Sequence, residues 1–256
     1  MISRYAVWLN DVSLAEVDPR IYVSDISYPV PTIERKTSRL AGRDGLYSGE
    51  SEYIKERKIS ITFVVREYST QRRQEIIQNV ILWASNGGWL KTSDRVGQKI
   101  YVKATGLPAS TSVMRWLDEL SVEFTSFDYP YWQDEAVQEI TLANNALGTL
   151  YLPGVRNACV EASILAQESI TSYLNIQCGD TQIIIGSPGM AENDIVTIGY
   201  SEDHHIMDIK LWTVSILNKR LPTSDDDLIA KPGNNTVTFA ADGAALCTLT
   251  VRGVYL

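Results

Sequence analysis

Only two histidines, His204 and His205, and three cysteines occur in the 256 residues of this chain. Cys159, Cys178 and Cys247 are far apart and odd in number, and none forms a CxxC or Cys/His spacing, so neither a disulfide framework nor a zinc site is expected. Each sits in a strand-like apolar segment and reads as a small buried hydrophobe. A catalytic thiol would want a histidine partner. No stretch approaches the roughly 20 apolar residues that span a bilayer, so no membrane insertion is expected. The first residues, MISRYAVWLNDVSL, contain no apolar run long enough for a signal-peptide core, and the chain is expected to be made in a cytoplasm and to stay soluble. Walker, GxGxxG, HExxH and GxSxG motifs are all missing, so the expectation is no cofactor, no metal and no enzyme. A fixed-period repeat and a low-complexity linker are missing too.

What is present is a globular composition, 45% apolar and 21% charged. The charge is unevenly placed. Residues 1–132 hold 17 Lys and Arg against 16 Asp and Glu, whereas residues 133–256 hold 6 against 15. The net charge of −8 therefore comes from the second half. That shift places a domain boundary near 133, giving domains 1–132 and 133–256. It also argues against nucleic-acid binding by the acidic half, which would repel phosphate.

The first half reads as a β-sheet domain with one helix. KISITFVV (58–65) alternates, with Ile59, Ile61, Phe63 and Val65 on one face. STQRRQEIIQNVILWASNGG then changes period. Ile76, Ile77, Val80, Ile81 and Ala84 form a helical stripe, Arg72, Arg73 and Glu75 are placed in solvent, Ser69 or Thr70 caps the start, and Gly87-Gly88 ends it. KIYVKAT (99–105) and LSVEFTSF (120–127) are further strands, and DYPYWQDE (128–135) punctuates the end of this half. The second half shows no helix. About seven short alternating runs, separated by CGD, GSPGM, KPGNN and ADG, predict a β-sandwich, with Pro232-Gly233-Asn234-Asn235 as a turn.

Four places could carry chemistry. Glu202-Asp203-His204-His205 gathers metal-ligand types, but strand neighbours point to opposite faces and the bland alternative is a polar hairpin tip. Asp225-Asp226-Asp227 lacks the spacing and glycine of an EF-hand loop and reads as a solvated loop or helix start. Arg72-Arg73 suggests a phosphate patch, yet Glu67 and Glu75 interrupt it, and a solvated helix face is the stronger reading. Trp212, Tyr200 and Tyr173 lie in the sandwich, where an exposed ring can stack on a sugar. Trp212 is placed opposite Met207, Ile209 and Leu211 and is the candidate glycan contact, against core filling as the alternative.

Between the strand-like runs lies LAGRDGLYSGES (40–51), a polar, glycine-punctuated arm spanning about residues 36–56. The order of parts is specific: the GRDG arm, Tyr53, RKISITF, a helix ending in Trp83, WLKTSD, KIYVKA, SVEFTSFD running into YPYW, then a sandwich with LIAKPGNNTVTF and a final TVRGVYL. This order resembles the distal tail protein family of long-tailed, non-contractile bacteriophages and prophages, over nearly the whole chain. The resemblance implies a mainly β fold: an N-terminal β-sheet domain with one helix and an extended arm, and a C-terminal galectin-like sandwich projecting outward. It implies a hexameric ring, in the virion at the tail tip, joining the tail tube protein to the tail-tip hub protein and carrying receptor-binding protein. It also implies that the arm embraces the neighbouring copy, with Arg39, Arg43, Asp44, Gly45, Tyr47, Glu50 and Glu52 as inter-subunit positions. Some relatives carry large carbohydrate-binding insertions, for which this chain is too short. The alternatives are a carbohydrate-binding module that attaches to host cell-wall glycan through Trp212, and a cell-wall hydrolase, which no motif supports.

Overall fold

The computed structural model describes residues 3–38, 47–106, 111–114, 116–127, 129–200 and 206–256. The chain forms two compact units, Met1–Tyr131 and Trp132–Leu256.

The first unit contains β1 (Val7–Leu9), β2 (Val12–Ser13), the single-turn helix α1 (Leu14–Val17), β3 (Ile21–Ser27), β4 (Thr32–Ser38), β5 (Tyr47–Arg66), α2 (Thr70–Ser85), β6 (Gly88–Thr92), β7 (Gln98–Gly106), β8 (Thr111–Met114) and β9 (Leu117–Ser126). The strands run in the order β2-β1-β6-β7-β9-β5-β3, with β4 added to β5 and β8 to β9. Residues 3–5 close this sheet on itself. Tyr5 bridges to Val23 of β3, and the Arg4 amide donates to the Val23 carbonyl at 3.2 Å, while Val7 to Leu9 pair with β6. One N-terminal segment thus touches β3 at one end of the strand order and pairs with β6 near the other.

The alternation at 58–65 produces the core face. Ile59, Ile61 and Phe63 stand opposite Phe124, Val122 and Leu120, and all are buried. A diagonal polar pair, Ser60 and Ser121, joins hydroxyls at 2.9 Å on the other side. Helix α2 lies against β5 and β7, burying Ile76, Val80 and Ala84. Ser69 is its N-cap, accepting from the Arg72 amide, and Gly87 in the left-handed region (φ +61) follows its end. Arg73 is not in solvent: it is 7% exposed, its Nε lies 3.0 Å from Asp118 Oδ2, and its NH1 donates to the Glu67 carbonyl at 2.8 Å. A charge in the first turn of a helix is assigned to water by periodicity alone. Here β9 supplies a carboxylate on the buried side.

Asn10 fastens the region between helix and sheet. It lies in the two-residue turn between β1 and β2, with φ +51, and Asp11 follows at +65. Its side-chain amide donates to the Gly87 carbonyl and accepts from the Trp89 amide, both at 2.9 Å. A Cβ on Gly88 (φ +132) would stand 2.0 Å from Asn10 Oδ1, so no other residue fits there.

The second unit contains β10 (Trp132–Asp134), β11 (Gln138–Ala143), β12 (Ala146–Leu152), β13 (Ala158–Cys159), β14 (Glu161–Ala166), β15 (Tyr173–Cys178), β16 (Thr181–Gly186), β17 (Ile195–Tyr200), β18 (Met207–Leu211), β19 (Val214–Ser215), β20 (Ile229–Ala230), β21 (Gly233–Ala241), β22 (Ala245–Val251) and β23 (Val254–Tyr255). A six-stranded sheet, β11-β22-β14-β17-β18-β19, and a four-stranded one, β12-β21-β15-β16, form the sandwich. Its core takes alternate residues from each, such as Ile164, Ile198 and Leu249 from the first and Ile176, Ile183 and Phe239 from the second. There are more strands than the seven expected: several are two- or three-residue pairings, and β11 and β12 join across an Asn144-Asn145 turn that the alternating runs did not reveal. Asn144 locks that turn to the β21–β22 connection, donating to the Ala241 and Gly243 carbonyls at 3.0 Å. The Pro-Gly-Asn-Asn turn is also displaced. Gly233 already begins β21, and Asn235, 5% exposed, accepts from the Lys231 amide at 2.8 Å from within the strand.

Candidate functional site

The feature that departs most from a closed sheet is β5. Its inner half, Arg57 to Arg66, pairs with β9, and from Ser60 to Val65 it pairs with β3 as well. Its outer half, residues 47–56, pairs among the described residues with β4 alone, from Thr32↔Glu56 to Ser38↔Tyr47. Ten residues of strand reach about 30 Å. The arm is therefore a two-stranded ribbon where it is described, rather than a loop. An isolated two-stranded ribbon is marginal in water and leaves two edges for pairing. Charged residues are frequent in both strands: Glu34, Arg35 and Lys36 in one, Glu50, Glu52, Lys55 and Glu56 in the other. Lys55 donates to Glu34 across the ribbon at 2.7 Å. Register shifts at Thr32/Ile33 and Arg35/Thr37 mark bulges, which bend and twist such a ribbon.

Of the seven arm positions, Arg39, Arg43, Asp44 and Gly45 lie outside the described residues. The backbone of Tyr47, Glu50 and Glu52 lies in the outer half of β5, with Tyr47 opposite Ser38 and Glu52 opposite Arg35.

The base of the ribbon is braced. Arg57, 4% exposed, donates from Nε to the Pro130 carbonyl at 2.9 Å, and burial lowers its pKa. Beyond the strand, Arg20 forks onto Asp18 (Nε–Oδ1 2.9 Å, NH2–Oδ2 2.7 Å) and reaches Glu67 with NH1. Glu67 in turn accepts from the Ser69 amide at 3.0 Å, so β5 is coupled to the start of α2.

The other candidates resolve differently. Trp212 does not lie on a strand. It is the first residue of the turn from β18 to β19, with φ +56, and it is 56% exposed. Its amide donates to the Ile195 carbonyl and its indole Nε1 to Asp194, both at 2.9 Å. That indole bond is the main reason the Asp194 carboxyl titrates below its ordinary range. Trp212, Tyr200 and Tyr173 are not brought together. Tyr200 pairs with Met207 at the far end of β18, where its buried hydroxyl accepts from the Leu228 amide, and Tyr173 belongs to the other sheet. Asp225 accepts from the Gln182 amide at 2.7 Å and Asp226 pairs with Arg220 at 3.0 Å, so the acidic triplet ties a loop to β16. Glu202, Asp203, His204 and His205 lie outside the described residues. Among the described residues no group of three or more His, Cys, Asp or Glu is placed to hold a metal, and no helix is long and apolar enough to cross a membrane. Burial raises the thiols of Cys159 and Cys247 to about 12 and Cys178 to about 11, which keeps them protonated near neutral pH.

Over almost its full length the chain takes a fold found in bacteriophage tail-hub and baseplate proteins. The solved structure of phage SPP1 Dit (gp 19.1), described as a paradigm of the hub adsorption apparatus in phages infecting Gram-positive hosts, matches with a TM-score of 0.72. That match covers 97% of this chain and 98% of that one at 14% identity. Two structures of the phage p2 baseplate in its activated conformation, with Ca and with Sr, match at TM-scores of 0.51 and 0.52, each at 8% identity. They cover 99% and 97% of this chain, and 98% and 97% of theirs. The mainly β class with a galectin-like domain is thus the shared fold. No family model matches the sequence, and no curated protein matches it.

Proposed function

We propose that the chain is a structural protein of a phage tail tip, a distal tail subunit that closes into a hexameric ring. The ring joins the tail tube to the tip hub and carries host-adsorption proteins. The observation that carries this reading is the ribbon: ten residues of β5 extend past its pairing with β9 and, among the described residues, pair along the strand with β4 alone. The full-length likeness to SPP1 Dit supports it. The ribbon would reach the next copy in the ring. A head-to-tail contact of this kind is heterologous and closes only when its rotation is right. Mixed charges at Arg39, Arg43, Asp44, Glu50 and Glu52 can pair across the joint, and interface burial would offset the entropy of ordering the arm. The first unit builds the ring in this reading, the second projects from it, and the reading assigns no catalysis to either.

Light scattering coupled to size exclusion tests this, on the full chain and on a deletion of residues 40–51. A full-chain mass of six times 28.6 kDa that falls to a single chain in the deletion is the expected result. A full-length protein that stays monomeric, with no rings by negative-stain microscopy when tube and hub proteins are co-expressed, would overturn it.

A further inference from the structure

The outer face of the six-stranded sheet is ordered into rows that run across the strands. The register aligns Ala143, Leu246, Leu165 and Ile195 side by side. Trp212 ends this row, its amide bonded to the Ile195 carbonyl. The next row is hydroxyl-bearing: Thr141, Thr248, Ser163 and Thr197, with the first two hydroxyls 3.0 Å apart. A third row sets Glu139 and Glu161 on either side of Thr250. Alternation explains the outward direction, because the intervening residues Leu142, Ile164, Val196 and Leu249 are buried in the sandwich. At about 4.8 Å between strands the apolar row is about 19 Å long, and the acidic row lies about 13 Å from it.

A solvated sheet face would normally scatter its apolar residues. Here they are collected at one end and the acids at the other. The row ends in a tryptophan held in advance of any partner. Trp212 adopts a left-handed backbone (φ +56) that bulky residues rarely take. Asp194 fixes its indole, and the Ala191 amide fixes Asp194 at 2.8 Å. Immobilised, half-exposed aromatics are what binding energy concentrates on.

We infer that this face docks an amphipathic, basic segment of a partner protein chain. The segment lays apolar side chains along Ala143, Leu246, Leu165, Ile195 and Trp212, and extends lysines or arginines toward Glu139 and Glu161. Charge selects the sign of the partner. Residues 133–256 hold 6 Lys and Arg against 15 Asp and Glu, and Asp208, the remaining acid on this face, is already engaged by Lys210 and Ser215. About 19 Å of row matches a helix of some 13 residues, at 1.5 Å rise each. Neither ring closure nor the ribbon enters this inference.

The test is calorimetry on the full chain with two 14-residue helical peptides, one with leucines on one face flanked by lysines, the other flanked by glutamates. The lysine peptide is expected to bind at least tenfold more tightly than the glutamate peptide. Leu165→Ser combined with Trp212→Ala should weaken it at least tenfold, and Glu139→Lys with Glu161→Lys should reverse the preference. Leu147→Ser, on the outer face of the other sheet and 71% exposed, should change nothing. All these side chains are exposed, so the variants fold; circular dichroism checks this. Equal binding of both peptides, no binding of the lysine peptide, or sensitivity to Leu147→Ser overturns the inference. So does a Trp212-dependent response to a cell-wall glycan panel without peptide binding, which would assign the face to sugar.

Discussion

Gly88 and Asn10 form the sharpest test of how the first unit is fastened. Gly88→Ala meets two obstacles. The backbone at φ +132 strains any residue with a Cβ, by about 1–3 kcal/mol. The new Cβ would also sit 2.0 Å from Asn10 Oδ1 and 2.4 Å from its Nδ2, so the Asn10 side chain must leave. That breaks the two 2.9 Å bonds to the Gly87 carbonyl and the Trp89 amide, at about 0.5–1.5 kcal/mol each. The sum is about 2–6 kcal/mol. Asn10→Ala loses the same bonds, about 1–3 kcal/mol, and adds the strain of alanine in the left-handed region at φ +51, about 1–2 kcal/mol, which the double variant carries equally. In the double variant the clash has gone, so adding Gly88→Ala to Asn10→Ala should cost only the backbone strain. The two substitutions should therefore be less than additive, by about 1–3 kcal/mol. Urea unfolding followed by tryptophan fluorescence reads this, since Trp8, Trp83, Trp89 and Trp116, four of the six tryptophans, belong to the first unit. Strictly additive effects, or a Gly88→Ala variant as stable as the parent, would refute the argument.

Arg73 and Asp118 offer a second check. Removing the cation by Arg73→Ala strands a carboxylate in a site where both side chains are about nine-tenths buried, and should cost about 3–5 kcal/mol in urea unfolding. Replacing both by apolar residues of similar size, Arg73→Met with Asp118→Leu, should cost distinctly less. Asp242 sets an acid limit on the second unit. Burial pushes its pKa up, but bonds from the Ser172 and Thr171 amides outweigh this and take it from 3.8 to about 2. A depressed folded pKa means stability that is present above the unfolded value and is lost as pH falls through the folded one. Thermal melts from pH 5 to pH 2 should therefore drop more steeply below about pH 4 in the parent than in Asp242→Asn; parallel curves would count against the assignment.

Where one face of an element is core and the other water, the sequence was legible. The strand at 58–65 and the helix from Thr70 both show their periods because Ile59, Ile61, Phe63, Ile76 and Val80 are the residues buried. The outer half of β5 carried no such signal. Its residues are mostly polar, with Ile54 the one aliphatic side chain between Tyr47 and Glu56, so it read as a polar arm rather than as paired strands. β11 and β12 escaped notice because their apolar residues divide between the two sides: Leu142, Leu150 and Leu152 are buried while Leu147 is 71% exposed, which blurs the alternation. Arg73 was illegible for another reason. Its partner Asp118 is brought to it only by the fold, and no local pattern announces a carboxylate on a different strand. The exposure of Trp212 followed from its parity along β18, but the turn that holds it depends on Asp194 and Ile195 of the neighbouring strand. Ordered rows like Ala143 to Ile195 need a register across four strands, which a linear pattern cannot supply.

The closure of the first sheet by residues 3–9 also bears on how the protein is made. Synthesis delivers this segment before its partners, which arrive in instalments: Val23 almost at once, then Leu90 to Thr92 only after the long strand and helix have left the ribosome. Until then the segment can be held on one side only. A segment made before all its partners is thus among the last to be fixed, and folding of this unit must wait on a contact spanning more than eighty residues, from Val7 to Thr92. Contacts of that separation form slowly, so a nascent chain stalled before β6 should expose the edge that residues 7–9 later share with it, and be the species most open to proteolysis or misassembly.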